Sequence, residues 1–304
     1  MSFEVKEITA ASSDNIHTLV GRIYIPDGDV KGLFHIVHGM TEHIERYDML
    51  MSYLAQNGFI AFGFDNLGHG KTARDGSELG FIAHNNGWKF LVNDVATFSK
   101  IVSNLYPDKP VILFGHSMGS FIARIAAEYY DNLYSKLIIC GTGGKNPLSA
   151  TGILLSKLIK TFKGEKYVSD FIINMAFGAY NKRFDNDKKY GWLTKDADII
   201  EKYKNDRFCT FKFTVSAMCD LITLTDVCNR KSWYKEIRKD LPIFLISGKD
   251  DPVGNYGKGV EQVYRDLKKS GADVKIKLYD DCRHEILNDS CKNEVMSDIL
   301  KFIK

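Results

Sequence analysis

Ser117 stands in Gly115-His116-Ser117-Met118-Gly119, a G-x-S-x-G pentapeptide, and the chemistry open to such a serine is attack on a carbonyl carbon. The apolar run Val111 to Phe114 leads in, and a helical pattern follows from Ile122 to Tyr130. A strand–turn–helix of this kind holds the serine in a strained conformation with its hydroxyl exposed. Side chains at the two glycine positions would collide where strand and helix pack closely. A serine hydroxyl is a weak nucleophile until a base takes its proton, and the base needs an acid to fix its tautomer. Candidates for both come later in the chain: Ser247-Gly248-Lys249-Asp250-Asp251-Pro252 follows one buried-strand pattern, and Cys282-Arg283-His284-Glu285 follows the next. Both stand at carboxyl ends of strands, where open α/β sheets place their sites. The order serine, aspartate, histidine is the one that accompanies this nucleophile turn.

Two carboxylates compete for the acid role. Asp251 directly precedes Pro252, which restricts the turn backbone, and Asp250 one residue earlier should point another way, so Asp251 is favoured. His284 is the base candidate, because His17 lies in an early strand, His35 points from a buried strand and His84 falls in a loop. The tetrahedral intermediate also needs donors for its oxyanion. The backbone N–H of Met118 is one, and the loop His38-Gly39-Met40-Thr41-Glu42-His43 offers a second at Met40. His38 and His43 read as loop organisers. Asp65-Asn66-Leu67-Gly68-His69-Gly70 reads as structural support, with Asp65 as a hydrogen-bonding anchor.

These groups need a scaffold, and the hydrophobic pattern supplies one. Strand patterns fall at 3–9, 16–25, 32–37, 59–64, 111–115, 136–141, 242–247 and 274–279. Several are apolar throughout, as in strands buried on both faces of a parallel sheet. Helical patterns lie near 46–57, 88–105, 118–130, 257–270 and 291–303. The alternation predicts an α/β fold with a mostly parallel sheet of eight strands. The rhythm breaks between 146 and 235, where helices and loops replace strands. The expected division is therefore a core of 1–145 and 236–304 with a helical cap at 146–235 over the catalytic end. Within it, Leu154, Leu155, Leu158, Ile159 and Phe162 form one apolar helix face, with Lys157, Lys160 and Lys163 elsewhere.

The 304 residues carry a net charge of only +3, so composition implies no nucleic-acid partner. Six cysteines form no C-x-x-C pair and no histidine cluster has zinc spacing, so neither metal nor cofactor is expected. No apolar run approaches the ~18 residues of a membrane span, and the first residues, Met-Ser-Phe-Glu-Val-Lys, hold no apolar signal core. A cytoplasmic protein with reduced thiols is the expectation. Composition leaves the oligomeric state open.

Taken together, His38-Gly-Met-Thr-Glu-His43, Asp65-Asn-Leu-Gly-His-Gly70, Gly115-His-Ser-Met-Gly119, Asp251-Pro-Val253 and Arg283-His-Glu285 resemble, in this order, the monoacylglycerol lipase and lysophospholipase branch of the α/β-hydrolases, often grouped with S33-type serine aminopeptidases. The stretch from Trp192 to Thr214 is similar to bacterial lysophospholipases. The resemblance implies the α/β-hydrolase fold, with Ser117 as nucleophile, Asp251 as acid, His284 as base, and Met40 and Met118 as oxyanion donors. Thr41 departs from the pattern, since many relatives have glycine there. The expected activity is ester hydrolysis through an acyl-enzyme, on a monoacylglycerol, a lysophospholipid or a short to medium acyl ester, with no cofactor. The lysines of the cap suggest contact with an anionic lipid surface. A peptidase or amidase shares the triad but would need acidic cap residues facing the serine, drawn from Asp170, Asp185, Asp187, Asp196, Asp198 and Asp220. A non-hydrolytic binding protein on the same fold is the third reading.

Overall fold

Runs apolar at nearly every position become strands covered on both faces. In the computed structural model, which describes residues 2–184, 187 and 189–304, eight strands form one sheet. They are β1 (Phe3–Ala11), β2 (Thr18–Pro26), β3 (Gly32–Val37), β4 (Phe59–Phe64), β5 (Val111–His116), β6 (Lys136–Cys140), β7 (Ile243–Gly248) and β8 (Val274–Tyr279). Their spatial order is β1-β2-β4-β3-β5-β6-β7-β8. β2 pairs antiparallel with β1 and β4, and every other pairing is parallel. Every residue of β3, β4, β5 and β7 is buried. The edge strand β1 is mostly exposed and carries Glu4, Lys6 and Glu7, charges that discourage pairing with a further strand.

The helices are α1 (Asp48–Gln56), α2 (Gly87–Leu105), α3 (Met118–Tyr129), α4 (Ser149–Lys163), α5 (Asp170–Phe177), α6 (Ala197–Asn205), α7 (Val215–Val227), α8 (Lys231–Glu236), α9 (Lys258–Lys269) and α10 (Lys292–Ile303). Successive strand side chains point to opposite faces, so each strand feeds two cores. Leu33 and Val37 of β3 join Val95 and Phe98 of α2 and Ile122 and Ile125 of α3 on one face. Phe34 and Ile36 join Leu50 and Leu54 of α1 and Val295 and Ile299 of α10 on the other. Each large apolar side chain so buried contributes about 1.5–3 kcal/mol.

Two predicted starts shift, for local reasons. The second strand begins at Thr18 rather than 16, because the Asp14 carboxylate takes the backbone N–H groups of Ile16 (2.8 Å) and His17 (2.9 Å) in a turn, which also leaves His17 just outside the strand. The helix expected from 46 begins at Asp48, preceded by a 3-10 turn over Ile44–Tyr47. That turn is anchored by Asp65, whose Oδ1 accepts the N–H of Ile44 at 2.8 Å and whose Oδ2 accepts that of Lys71 at 2.7 Å.

Between β6 and β7 lie α4 to α8, with no strand among the described residues. α7 packs on α2 and α3 as well as on α4, so this stretch is rooted on the sheet's helical layer. Its last turns are pinned by Trp233, which is fully buried and donates its Nε1–H to the Arg124 carbonyl of α3 at 2.8 Å. The apolar face expected on α4 divides: Leu155 and Ile159 pack inward, while Leu154, Leu158 and Phe162 face outward.

Candidate active site

β5 delivers Ser117 at its carboxyl end, and α3 begins one residue later. The serine sits at φ +52° and ψ −121°, a conformation that L-residues rarely adopt. Its N–H donates to the Cys140 carbonyl of β6 at 3.0 Å, and its own carbonyl accepts from the Ser120 N–H at 2.9 Å and the Ser120 hydroxyl at 2.6 Å. The flanking glycines answer to close backbone contact. A Cβ on Gly115 would lie 2.2 Å from the Gly119 carbonyl oxygen, and one on Gly119 only 2.1 Å from that of Val37.

Asp251 follows β7 and is fully buried. Its Oδ1 accepts the Val253 N–H at 2.9 Å and its Oδ2 the Ser247 hydroxyl at 3.1 Å. Both oxygens lie 3.0 Å from Nδ1 of His284, itself 2% exposed on the loop after β8. The carboxylate can only accept, so Nδ1 carries the proton facing it and Nε2 is left as the basic nitrogen. The Trp192 ring packs against His284 at 5.1 Å between centroids. Asp250 is not among the hydrogen-bond partners of the His284 ring, and its backbone N–H donates to the Cys282 carbonyl at 3.0 Å.

The loop that carries His284 is short and tied down. Arg283 N–H donates to Asp289 Oδ2 at 2.9 Å, and the Glu285 N–H donates to the Leu193 carbonyl at 2.8 Å. Cys282 and Cys291 are joined in a disulfide, where the sequence reading expects reduced thiols. The 3-10 turn over Ile286–Asn288 folds the segment back on itself and brings the two Cα atoms to 6.6 Å, within disulfide range. Cys140, Cys209, Cys219 and Cys228 are free.

The loop after β3 approaches Ser117 from the other side. His38 is fully buried, with Nε2 accepting the Asn66 N–H at 2.8 Å and Nδ1 donating to the Gly39 carbonyl at 2.8 Å. Burial pushes its pKa down, in keeping with a neutral ring. His43 Nε2 pairs with Asp206 Oδ2 at 2.8 Å, and the Tyr203 hydroxyl meets Thr41 Oγ1 at 2.8 Å, so two residues from the stretch between β6 and β7 hold this loop. Thr41 itself has φ +51°, the left-handed region where glycine is easier. Met118, as the first residue of α3, has a backbone N–H without a partner inside the helix.

Ser117, His284, Met40 and Met118 open onto one cavity of about 520 Å³. Its apolar walls include Phe121 from α3, Ile173 and Phe177 from α5, Phe213 before α7, and Met218 and Leu221 from α7. The acidic residues among its described lining are Glu42 and Glu285. Both are already engaged: Glu285 accepts two hydrogen bonds from the Arg46 guanidinium, each 2.7 Å, and Glu42 accepts from Gly39 N–H, from the Tyr47 hydroxyl at 3.0 Å and from His116 at 3.1 Å.

Sequence reasoning gave no role to His116, Glu42, Arg46 or Glu285, though all but Arg46 stand inside its motifs. Their pairing is long-range, Arg46 to Glu285 spanning 239 residues, and only their unusual burial signals it. The described aspartates among those considered for binding an amine lie elsewhere. Asp170 pairs with Lys212 at 2.8 Å, Asp187 with Lys204 at 2.6 Å, and Asp196 caps α6, in whose first turn Asp198 lies. Asp220 is buried beside Gly87 at the start of α2. Asp185 falls outside the described residues.

The sheet order, the elbow at the end of β5 and the Asp251–His284 pair on the loops after β7 and β8 define an α/β-hydrolase. The chain belongs to the serine aminopeptidase S33 family, whose model matches residues 28–291. It is similar to the monoglyceride lipase of Homo sapiens, with 33% identity over 268 residues, 86% of this chain and 78% of that protein. Among solved structures, it is similar to a highly thermostable carboxyl esterase from Bacillus coagulans in complex with glycerol, at 31% identity, TM-score 0.93, and 99% and 98% of the two chains covered. A lipase in an open form matches at 26% identity and TM-score 0.91, again over 99% and 98% of the chains.

Proposed function

We propose that this chain is a carboxylic ester hydrolase acting on monoacyl esters, a monoacylglycerol, a lysophospholipid or a short to medium acyl ester, through an acyl-enzyme on Ser117. The observation that carries this reading is the single cavity in which Ser117 and His284 share walls with apolar side chains, while Asp251 lies behind the base. Residues 146–235 then act as a cap that shapes the acyl pocket, and its volume of about 520 Å³ suits a small to medium ligand. The names of the relatives, a monoglyceride lipase and a carboxyl esterase, point the same way.

In this mechanism His284 Nε2 removes the Ser117 proton as Oγ attacks the ester carbonyl. Backbone N–H groups of Met40 and Met118 receive the oxyanion, and loss of one such donor typically costs about 3–4 kcal/mol of barrier. Asp251 stabilises the imidazolium. Nε2–H then protonates the departing alkoxide, the alcohol leaves and the acyl group stays on Oγ. Water, deprotonated by Nε2, attacks the acyl carbonyl, the second intermediate collapses to the carboxylic acid, and the proton returns to Ser117.

An aminopeptidase must hold a free amine beside the serine, and an unengaged carboxylate is the group for that. Glu42 and Glu285 are occupied by buried partners, which favours ester over aminoacyl substrates. The test is hydrolysis of p-nitrophenyl esters from acetyl to palmitoyl beside an aminoacyl-p-nitroanilide, with Ser117→Ala in parallel. Ester turnover should fall by at least about 10⁴-fold in the variant, with little anilide hydrolysis by the wild type. Anilide turnover matching the esters would replace the reading with a peptidase.

A further inference from the structure

His116, the residue before the nucleophile, is 5% exposed, and both its ring nitrogens face acceptors. Nδ1 lies 3.1 Å from Glu42 Oε1, and Nε2 lies 3.2 Å from the backbone carbonyl oxygen of His284. A carbonyl cannot donate, so the Nε2 contact requires a proton on Nε2. The Glu42 side chain already accepts from Gly39 N–H and Tyr47 O–H and lies beside the Arg46 guanidinium, so it too is an acceptor, and Nδ1 must carry a proton as well. Only the imidazolium satisfies both contacts.

Charge balance agrees. Glu42, Arg46, Glu285 and His116 form one buried group, with the Tyr47 and His284 rings facing His116 at 6.4 Å and 4.7 Å between centroids. Two carboxylates against Arg46 alone would bury a net negative charge, which is costly, and a cationic His116 brings the cluster to neutrality. Burial opposes charge on His116, but the Glu42 carboxylate outweighs it and raises the pKa above the usual histidine value. Burial likewise opposes charge on Glu42, yet His116 and Arg46 hold its carboxyl well below the ordinary range.

We propose that His116 is a positioning residue for the base: held as an imidazolium by Glu42, it clamps the His284 backbone carbonyl through Nε2–H and so locks the base's loop to the oxyanion loop. The clamp is triangular, because Glu42 also receives the N–H of Gly39, the residue before Met40. One cation thereby sets the separation of the two loops whose groups must meet at Ser117. With both N–H groups committed, His116 does not itself transfer protons. The inference rests on the reading of His284 as the general base.

Two amide variants separate the clamp from mere filling of space. The Gln amide nitrogen superposes on Nε2 of histidine and can keep the bond to His284, whereas the Asn amide nitrogen superposes on Nδ1 and can reach only Glu42. On the best p-nitrophenyl ester, His116→Asn should lose about 100-fold in kcat with KM within about twofold, as a small misplacement of reacting groups does. His116→Gln should recover most of that loss. Equal kcat for the two variants, or a loss confined to KM, would overturn the clamp. Wild-type turnover that survives Ser117→Ala would instead remove the triad reading, and the inference with it. Should both variants fail to fold, ¹⁵N-histidine NMR of the wild type at pH 8 decides. Two protonated nitrogens on a buried ring contacting His284 support the imidazolium, and a ring with one protonated nitrogen excludes it.

Discussion

Asp251 has three donors on two oxygens: Ser247, Val253 and the His284 ring. That arrangement fixes the carboxylate plane and, through it, the base's tautomer. Asp251→Asn should therefore lower kcat by about 10³–10⁴-fold while unfolding at nearly the wild-type temperature, since an amide can keep the shape but offers the wrong group to Nδ1. Asp250→Asn should stay within about twofold of the wild type. Equal losses in the two variants, measured on the same ester, would dismiss Asp251 as the acid. At this scale much was legible. The serine, its glycines and the Asp-Pro turn are local patterns with local physical causes. His116, Glu42 and Glu285 were visible as letters but not as partners, because nothing in a local window reports that Glu42 and His116, 74 residues apart, share a buried hydrogen bond.

Among the elements, α2 begins against a neighbour. Asn86 precedes it without a side-chain cap, and the buried Asp220 carboxyl of α7 lies against its first residue, Gly87. Burial pushes the Asp220 carboxyl up from 3.8 to about 7. The folded chain thus holds a proton that the unfolded chain releases between these values, so this group's contribution to stability is full below about pH 4 and is lost as pH rises through 7. Asp220→Asn keeps the shape and polarity of the side chain and removes the titration. Its unfolding temperature relative to wild type should rise steadily from pH 4 to pH 8, and a constant difference across that range would refute the linkage. Helical periodicity located α2 and the strand patterns located its partners, but a carboxyl packed against the helix start from another helix leaves no trace there. The same limit applies to α4: the period identified its apolar face, and only the seat of α7 beside it determined which half of that face is covered.

For the whole molecule, the outward half of α4 and the start of α5 each expose apolar side chains. Phe162 is 81% exposed and Phe171 63% exposed, with Lys157, Lys163 and Lys166 exposed nearby. No helix among the described residues is long and apolar enough to cross a membrane. We propose that these segments rest on anionic lipid, with their aromatic side chains entering the interface and the lysines meeting head groups. Leu158→Ser combined with Phe162→Ser should abolish co-sedimentation with anionic vesicles and leave hydrolysis of a dissolved short-chain ester within about twofold. Unchanged sedimentation would remove the lipid contact.

The sequence by itself determined the alternation of strands and helices, the glycine-flanked serine turn and the order in which Ser117, Asp251 and His284 follow their strands. Each of these is set by backbone sterics or hydrophobic periodicity within a few residues. Only the tertiary structure decided which residues the sheet order carries together. It set Asp251 against His284, joined Cys282 to Cys291 around the base, and gathered Glu42, Arg46, His116 and Glu285 into one buried cluster. The physical reason is that charge and hydrogen bonding in a buried site are balanced among spatial neighbours, and those neighbours come from strands and loops far apart along the chain.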